Sequence, residues 1–211
     1  CEDINATSTL FAYYPWQEGG DIPAEFSVKA DQSGDNYTAS DLIVAVKAGV
    51  KPTLSSTQMT FKHKMSRIVI DVTNESGFDI TNIVIKGAVG TGVLDPATGN
   101  FTAKADAEAS DLIANTATAN KVYYALLVPQ NGVKLMVTVT TADGKKRTQT
   151  LGTADFKSGE NRRMECNVQP ADIEVKFSGP ITGWVDGDDL LPDGEGEVET
   201  PTVEWGGVKY E

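Results

Sequence analysis

Residues 59–72 read MTFKHKMSRIVIDV, and the spacing of their apolar side chains decides the fold. Met59, Phe61, His63 and Met65 fall on one parity, and Ile68, Ile70 and Val72 fall on the other. Both runs have period two, the mark of a strand rather than a helix. The phases meet at Ser66-Arg67. A change of phase inside one extended run needs an extra residue, so the stretch predicts a β-bulge or bend there, where the strand passes from one packing surface to another. A long β-branched strand of this kind belongs in the middle of a sandwich.

Toward the N-terminus, residues 9–17 (TLFAYYPWQ) form an aromatic-rich strand closed by Pro15, and EGGDIP is a turn. Residues 22–28 resume an extended pattern, 31–40 are a polar loop, 42–46 an apolar strand, and 51–57 a connector. Toward the C-terminus come a turn at 74–77, a strand over 80–85, a loop over 87–100 and a short strand at 101–103. Residues 104–120 are rich in Ala, Asp and Asn with no clean apolar face, which predicts a surface loop with room for one helical turn.

Val122, Tyr124, Leu126 and Val128 alternate up to Pro129, and Val133, Leu135, Val137 and Val139 alternate after it. With Asn131-Gly132 between them, the two runs predict a hairpin. Residues 141–144 make a second hairpin turn into 147–151, Gly159 precedes a strand over 162–168, and Ile173, Val175 and Phe177 form a last strand before Gly179-Pro180. Residues 181–184 close the body. Strands recurring at short intervals without a long helix indicate an antiparallel β-sandwich.

The 211 residues suffice for one large or two small domains, and 40% hydrophobic content supports a core. A formal charge of −12 argues against nucleic acid and against an anionic membrane surface as partners. No apolar run approaches the roughly 18 residues a spanning helix needs, so membrane attachment would have to be covalent. Cys1, followed by Glu2 and Asp3, has the form of a lipoprotein start whose cysteine is acylated; a chain simply cut at that point is the alternative. Cys166 lies on the apolar parity of its strand and reads as a small buried hydrophobe, with a Cys1–Cys166 disulfide as the other reading.

Catalysis has little to work with. The sole histidine, His63, sits between lysines within a strand, and relay devices need a histidine placed beside a nucleophile. No phosphate-binding loop, dinucleotide fingerprint or zinc motif is present, and no cofactor is expected. The acidic run 185–199 lacks the spacing of a calcium loop, because Leu190 and Leu191 stand where a ligand and the turn glycine are required. It reads as a solvated, self-repelling linker. Beyond it Thr202, Val203, Trp205, Val208 and Tyr210 form an apolar arm, either a tiny hairpin or a bulged strand. Phe11, Tyr13, Tyr14 and Trp16 offer a sugar-stacking platform or, by their alternation, core plus one exposed edge. Four Asn-x-Ser/Thr sequons, at Asn5, Asn36, Asn74 and Asn100, would suggest glycans in a eukaryotic secretory protein and carry no weight if the chain is bacterial.

TLFAYYPW, ADQSGDNYTASDLIVA, MTFKHKMSRIVIDV, VYYALLVPQ, FKSGENRRMECNV and ITGWVDGD follow one another in an order that resembles the fimbrillin-like proteins of Bacteroidetes, the type V pilins and their tip and anchor relatives. The likeness covers residues 9–188 and is most specific at FKHKMSRIVI. It implies an all-β chain of two transthyretin-like antiparallel sandwich domains, 1–57 and 58–184, followed by the 185–211 linker and arm. It also implies export as a lipoprotein, a place at the outer membrane or in a fimbrium, and no enzymatic activity. The partners implied are other pilin subunits and a host or bacterial surface ligand. Only eight residues precede TLFAYYPW where the family carries several strands, so the first domain is expected to be incomplete. The resulting open edge would accept a strand from a neighbour or pair with the chain's own tail, with Thr202, Val203, Trp205, Val208 and Tyr210 as candidate donor. The alternative is a monomeric surface lipoprotein that binds glycan through Tyr13, Tyr14 and Trp16.

Overall fold

The computed structural model describes residues 6–16, 22–51 and 56–184. In chain order the first elements are β1 (Ser8–Tyr14), β2 (Glu25–Ser27), the short helix α1 (Asp35–Ala39), β3 (Ile43–Val50) and β4 (Lys62–His63). There follow β5 (Ser66–Asn74), β6 (Ile80–Val89), β7 (Thr91–Asp95), β8 (Asn100–Ala103), β9 (Ala109–Ile113) and β10 (Asn115–Thr118). The last are β11 (Val122–Leu127), β12 (Gln130–Thr141), β13 (Lys146–Phe156), β14 (Glu160–Val168) and β15 (Ile173–Gly183). The architecture is all-β. A five-stranded sheet in the order β10-β11-β5-β14-β15 and a four-stranded sheet in the order β13-β12-β6-β9 are joined by two three-stranded sheets, β1-β3-β4 and β2-β7-β8.

The strand that decides the fold is the middle member of the five-stranded sheet. Ser66 through Ile70 are all buried on β5, which pairs antiparallel with β11 and parallel with β14. The parallel pair departs from the expected all-antiparallel arrangement; a parallel neighbour needs a long crossover, and here it is supplied by the strands between 74 and 160. The change of phase is real but lies two residues earlier than the sequence suggests. β4 belongs to the β1-β3-β4 sheet, the chain breaks at Lys64-Met65, and β5 then enters the other sheet, so of the two expected devices it is the bend between packing surfaces, not a bulge, that forms.

Ile68 and Ile70 of β5 share one buried cluster with Ile83 and Ile85 of β6, Leu135, Val137 and Val139 of β12, and Met164, Cys166 and Val168 of β14. Phe26, Leu94 and Phe101 of the β2-β7-β8 sheet belong to the same cluster, with Phe26 and Phe101 packed edge to face at 6.3 Å. Residues 22–50 are stitched to the rest through backbone pairing: β2 with β7, β3 with β4, and a bridge from Asp31 to Ile113.

Several expected boundaries move. The hairpin foreseen between residues 122–128 and 133–139 does not form: β11 pairs with β5 and β10, whereas β12 pairs with β6 and β13. The chain changes sheets at Val128-Pro129, where proline cannot donate to a ladder. The Asn131-Gly132 signal is spent on a bulge, with Gly132 at φ 68° and its N–H donating to Asp155 Oδ1 at 2.8 Å. The loop expected over 87–100 contains β7, which turns into β8 at 96–99. The surface loop expected over 104–120 contains β9 and β10, whose inward apolar set is too sparse to show periodicity, only Leu112 and Ala114 being buried. The polar loop 31–40 holds α1. β15 continues through Gly179-Pro180, because as an edge strand it tolerates proline and bulges there.

The described residues carry 17 Lys and Arg against 17 Asp and Glu. The whole of the −12 therefore belongs to residues 1–5, 17–21 and 185–211.

Candidate functional site

Cys1, the acidic run 185–199 and the arm residues Thr202, Val203, Trp205, Val208 and Tyr210 lie outside the described residues. The aromatic group near the N-terminus is described, and β1 divides it. Phe11 and Tyr13 pack against the core with ring centroids 6.1 Å apart, while Tyr14 is 52% and Trp16 67% exposed. Alternation explains the division, since Phe11 and Tyr13 share the inward face and Leu10 and Tyr14 the outward one. A platform of Tyr13, Tyr14 and Trp16 together is thus reduced to the two exposed rings.

Sheet edges distinguish this molecule more than any polar cluster does. A peptide group left unpaired at an edge invites another strand, and three glutamines fill such positions with their side-chain amides, which carry the same donor and acceptor as a peptide. Gln32, wholly buried, donates from Nε2 to Leu126 O at 2.8 Å and accepts from Leu126 N at 2.7 Å, extending the sheet where β10 stops short. Gln130 accepts from Val89 N at 3.0 Å and donates to Val128 O at 2.8 Å. Gln149 of β13 reaches across to β15, donating to Val175 O at 2.9 Å and accepting from Val175 N at 2.7 Å. The free side of β9 is covered by main chain, Ile113 N donating to Ala30 O and Gln32 N to Ile113 O.

β1 has none of these devices. It pairs with β3 on one side, and among the described residues no strand pairs with its other side. Its seven-residue sequence, STLFAYY, contains no charge and no proline; of the other outer strands, β2, β4, β8, β9 and β10 have two to five residues, and β13 and β15, eleven each, carry lysines. Long, flat, uncharged edges of this kind are the ones that recruit partners.

His63 belongs to a fastening rather than a catalytic device. Its Nδ1 lies 2.9 Å from the Asp41 carboxylate, and its ring stacks on Trp184 at 3.7 Å with an interplanar angle of 6°. The Arg67 guanidinium lies over Trp184 at 4.8 Å and over Tyr124 at 5.6 Å, and Arg67 Nε donates to Asn161 Oδ1 at 2.7 Å. Tyr37 of α1 packs 6.1 Å from Tyr124; burial pushes its hydroxyl pKa up, against the pull of the Arg67 charge. The stack therefore ties the segment around α1, the start of β5 and the end of β15 together. Ser158 donates its hydroxyl to the His63 main-chain oxygen at 3.3 Å and not to the imidazole, so that contact is not a nucleophile–base pair.

Among the described residues no group of acidic, His or Cys side chains is placed to hold a metal. Cys166 is a free, buried thiol pushed up to about 12 by desolvation, which makes it inert. Among the described residues no helix is long and apolar enough to cross a membrane. Of the sequons, Asn36 and Asn100 are exposed, whereas the Asn74 amide is consumed inside its own turn, donating to Phe78 O at 2.9 Å and accepting from Ser76 N at 3.1 Å. The glutamine bonds had no signal in the sequence, since a glutamine within a polar loop or on a strand reads as surface.

Residues 2–184 match the model of one family, described as fimbrillin-like. A solved candidate cell adhesion protein from Bacteroides ovatus superposes with a TM-score of 0.70 at 21% identity, over 86% of this chain and 69% of that one. Another from Bacteroides uniformis gives 0.65 at 16% identity, over 84% and 73%. At these identities the likeness establishes the fold. No curated protein sequence matches.

Proposed function

From the premise that the chain belongs to the fimbrillin-like family, a family of cell-surface fimbrial and adhesion proteins rather than enzymes, we propose that it is a pilus subunit or tip or anchor adhesin joined to its neighbours by β-strand exchange. The observation that supports the reading is the uncharged outer edge of β1, with which no strand pairs among the described residues, while Gln32, Gln130, Gln149 and main chain fill edge positions elsewhere. In this reading β1 accepts a strand, the arm containing Thr202, Val203, Trp205, Val208 and Tyr210 donates one, and acylated Cys1 anchors the chain at the outer membrane. Main-chain hydrogen bonds across the new pair supply affinity, and alternate apolar side chains supply register.

The test is assembly of the purified chain, read by electron microscopy and size-exclusion chromatography. Deleting residues 200–211 and, separately, placing lysines on the exposed edge with Leu10→Lys and Tyr14→Lys should each abolish polymers while leaving the unfolding midpoint within a few degrees of the parent. Polymers that persist in both variants overturn the strand-exchange reading. A second reading, a monomeric surface lipoprotein that binds glycan, is favoured only by the exposure of Tyr14 and Trp16; sugar binding lost on Trp16→Ala would be its signature.

A further inference from the structure

The lower part of the outer face of the five-stranded sheet is covered: Tyr37 packs on Tyr124, and Trp184 lies over Arg67. Where that cover ends, the upper part of the same face opens into a cleft of about 740 Å³ between β5, β14 and the turns that precede β6 and β11. Its volume lies in the range of small-molecule sites. We propose that this cleft is a binding site for a neutral saccharide.

Three observations carry the proposal. First, Phe78 stands on the cleft rim 48% exposed, and its exposure is not a consequence of a loose loop. The turn beneath it is locked: Asn74 Nδ2 donates to Phe78 O at 2.9 Å, Phe78 N donates to Ser76 Oγ at 3.3 Å, and Asn120 Oδ1 accepts from Ile80 N at 2.7 Å. Asn120 Nδ2 donates to Asp79 Oδ1 at 2.9 Å, which ties the β10–β11 turn to the same unit. A rigid exposed ring loses little freedom on binding, and its face accepts the C–H face of a pyranose.

Second, the cleft mixes donors and acceptors at fixed positions. Arg163 NH1 holds the Asp71 carboxylate at 2.8 Å and Lys176 Nζ holds that of Glu165 at 3.0 Å, so two acceptors are aimed by their partners. Among the described residues, the Lys121 ammonium and the Asn167 amide line the cleft without a protein hydrogen bond. A vicinal diol needs this combination, because each hydroxyl both donates and accepts. Third, with Asp71 paired to Arg163 and Glu165 to Lys176, the remaining charges of the lining are Asp79 and Lys121, one of each sign. That balance gives no net field to hold an ionic ligand and leaves neutral ones favoured.

The site is separate from the β1 edge and does not rest on strand exchange. The test is a titration of the full-length ¹⁵N-labelled protein with methyl glycosides of the neutral hexoses and with N-acetylglucosamine and N-acetylgalactosamine. At least one should produce saturable amide shifts confined to residues 71–79, 120–121 and 165–167, with a Kd on the order of millimolar or tighter. Phe78→Ala, at an exposed position, and Lys121→Ala should each weaken that binding at least tenfold, while Trp16→Ala leaves it unchanged. No saturable shift with any of these sugars, binding that survives both cleft variants, or shifts centred on Tyr14 and Trp16 would overturn the assignment.

Discussion

β5 and β1 both carry runs of apolar residues with strand-like spacing, and both pair with a neighbour over most of their length. β5 has partners on both sides and five consecutive buried residues; among the described residues β1 pairs with one strand and has an outward face that includes Leu10, Tyr14 and, just beyond it, Trp16. The difference does not lie in hydrophobicity. It lies in what the rest of the chain brings to each edge: β11 and β14 to one, and, among the described residues, nothing to the outer side of the other. Strand character is a local property, while centre or edge is decided by distant segments.

The contrast can be broken most directly at the core. Ile70→Ala should cost about 4 kcal/mol in urea unfolding, because Ile70 is fully buried between β11 and β14, whereas Leu10→Ala should cost less than about 0.5 kcal/mol. Equal costs would mean that β1 is buried against something in solution. The glutamine plugs sharpen the comparison. Gln32→Leu leaves the buried N–H and C=O of Leu126 without partners and should cost about 3 kcal/mol, while Gln149→Leu, at a part-buried edge where water can replace the amide, should cost about 1 kcal/mol. If the two cost the same, the β15 edge is as dry as the interior.

The smallest effect is at the turns. Asp31, Asp95 and Asp143 are each held below the usual carboxylate range, by hydrogen bonds first from Ser33, Thr98 and Thr141 respectively. A carboxylate lowered on folding stabilises fully above its unfolded value, about 3.9, and loses that contribution as pH falls through its folded value. Stability should therefore be flat near neutrality and drop below about pH 4. Asp95→Asn should make that drop shallower; an unchanged acid limb would show that the Asp95 turn does not hold in solution.

Much of the fold was legible in residues 59–72, since β-branched alternation there reports burial directly, and the likeness to fimbrillins rests on the same stretch. The hairpin between β11 and β12 was misread because Asn131-Gly132 satisfies both a turn and a bulge, and only the pairing of β11 with β5 decides between them. β9 and β10 escaped notice because pairing with β6 and β11 overrides their weak pattern. β1 was legible as a strand from its aromatic run, but that no described strand pairs with its outer side shows only in the sheet order. The cleft was not legible, because a single aromatic after the Asn74–Gly77 turn reads as ordinary surface and only the arrangement of Asn120 and β14 beside it makes a concavity.

The even balance of 17 cations and 17 anions over the described residues has a colloidal consequence. Copies of this body approach one another with little net repulsion, so short-range fit rather than long-range field governs whether they stay together. The counter-ion atmosphere gathers instead around the chain's acidic flanks, chiefly residues 185–211, and at physiological ionic strength it screens beyond about 8 Å. Raising salt should thus leave body-to-body association nearly unaltered, and neutralising the flanks should be what makes the protein prone to precipitate.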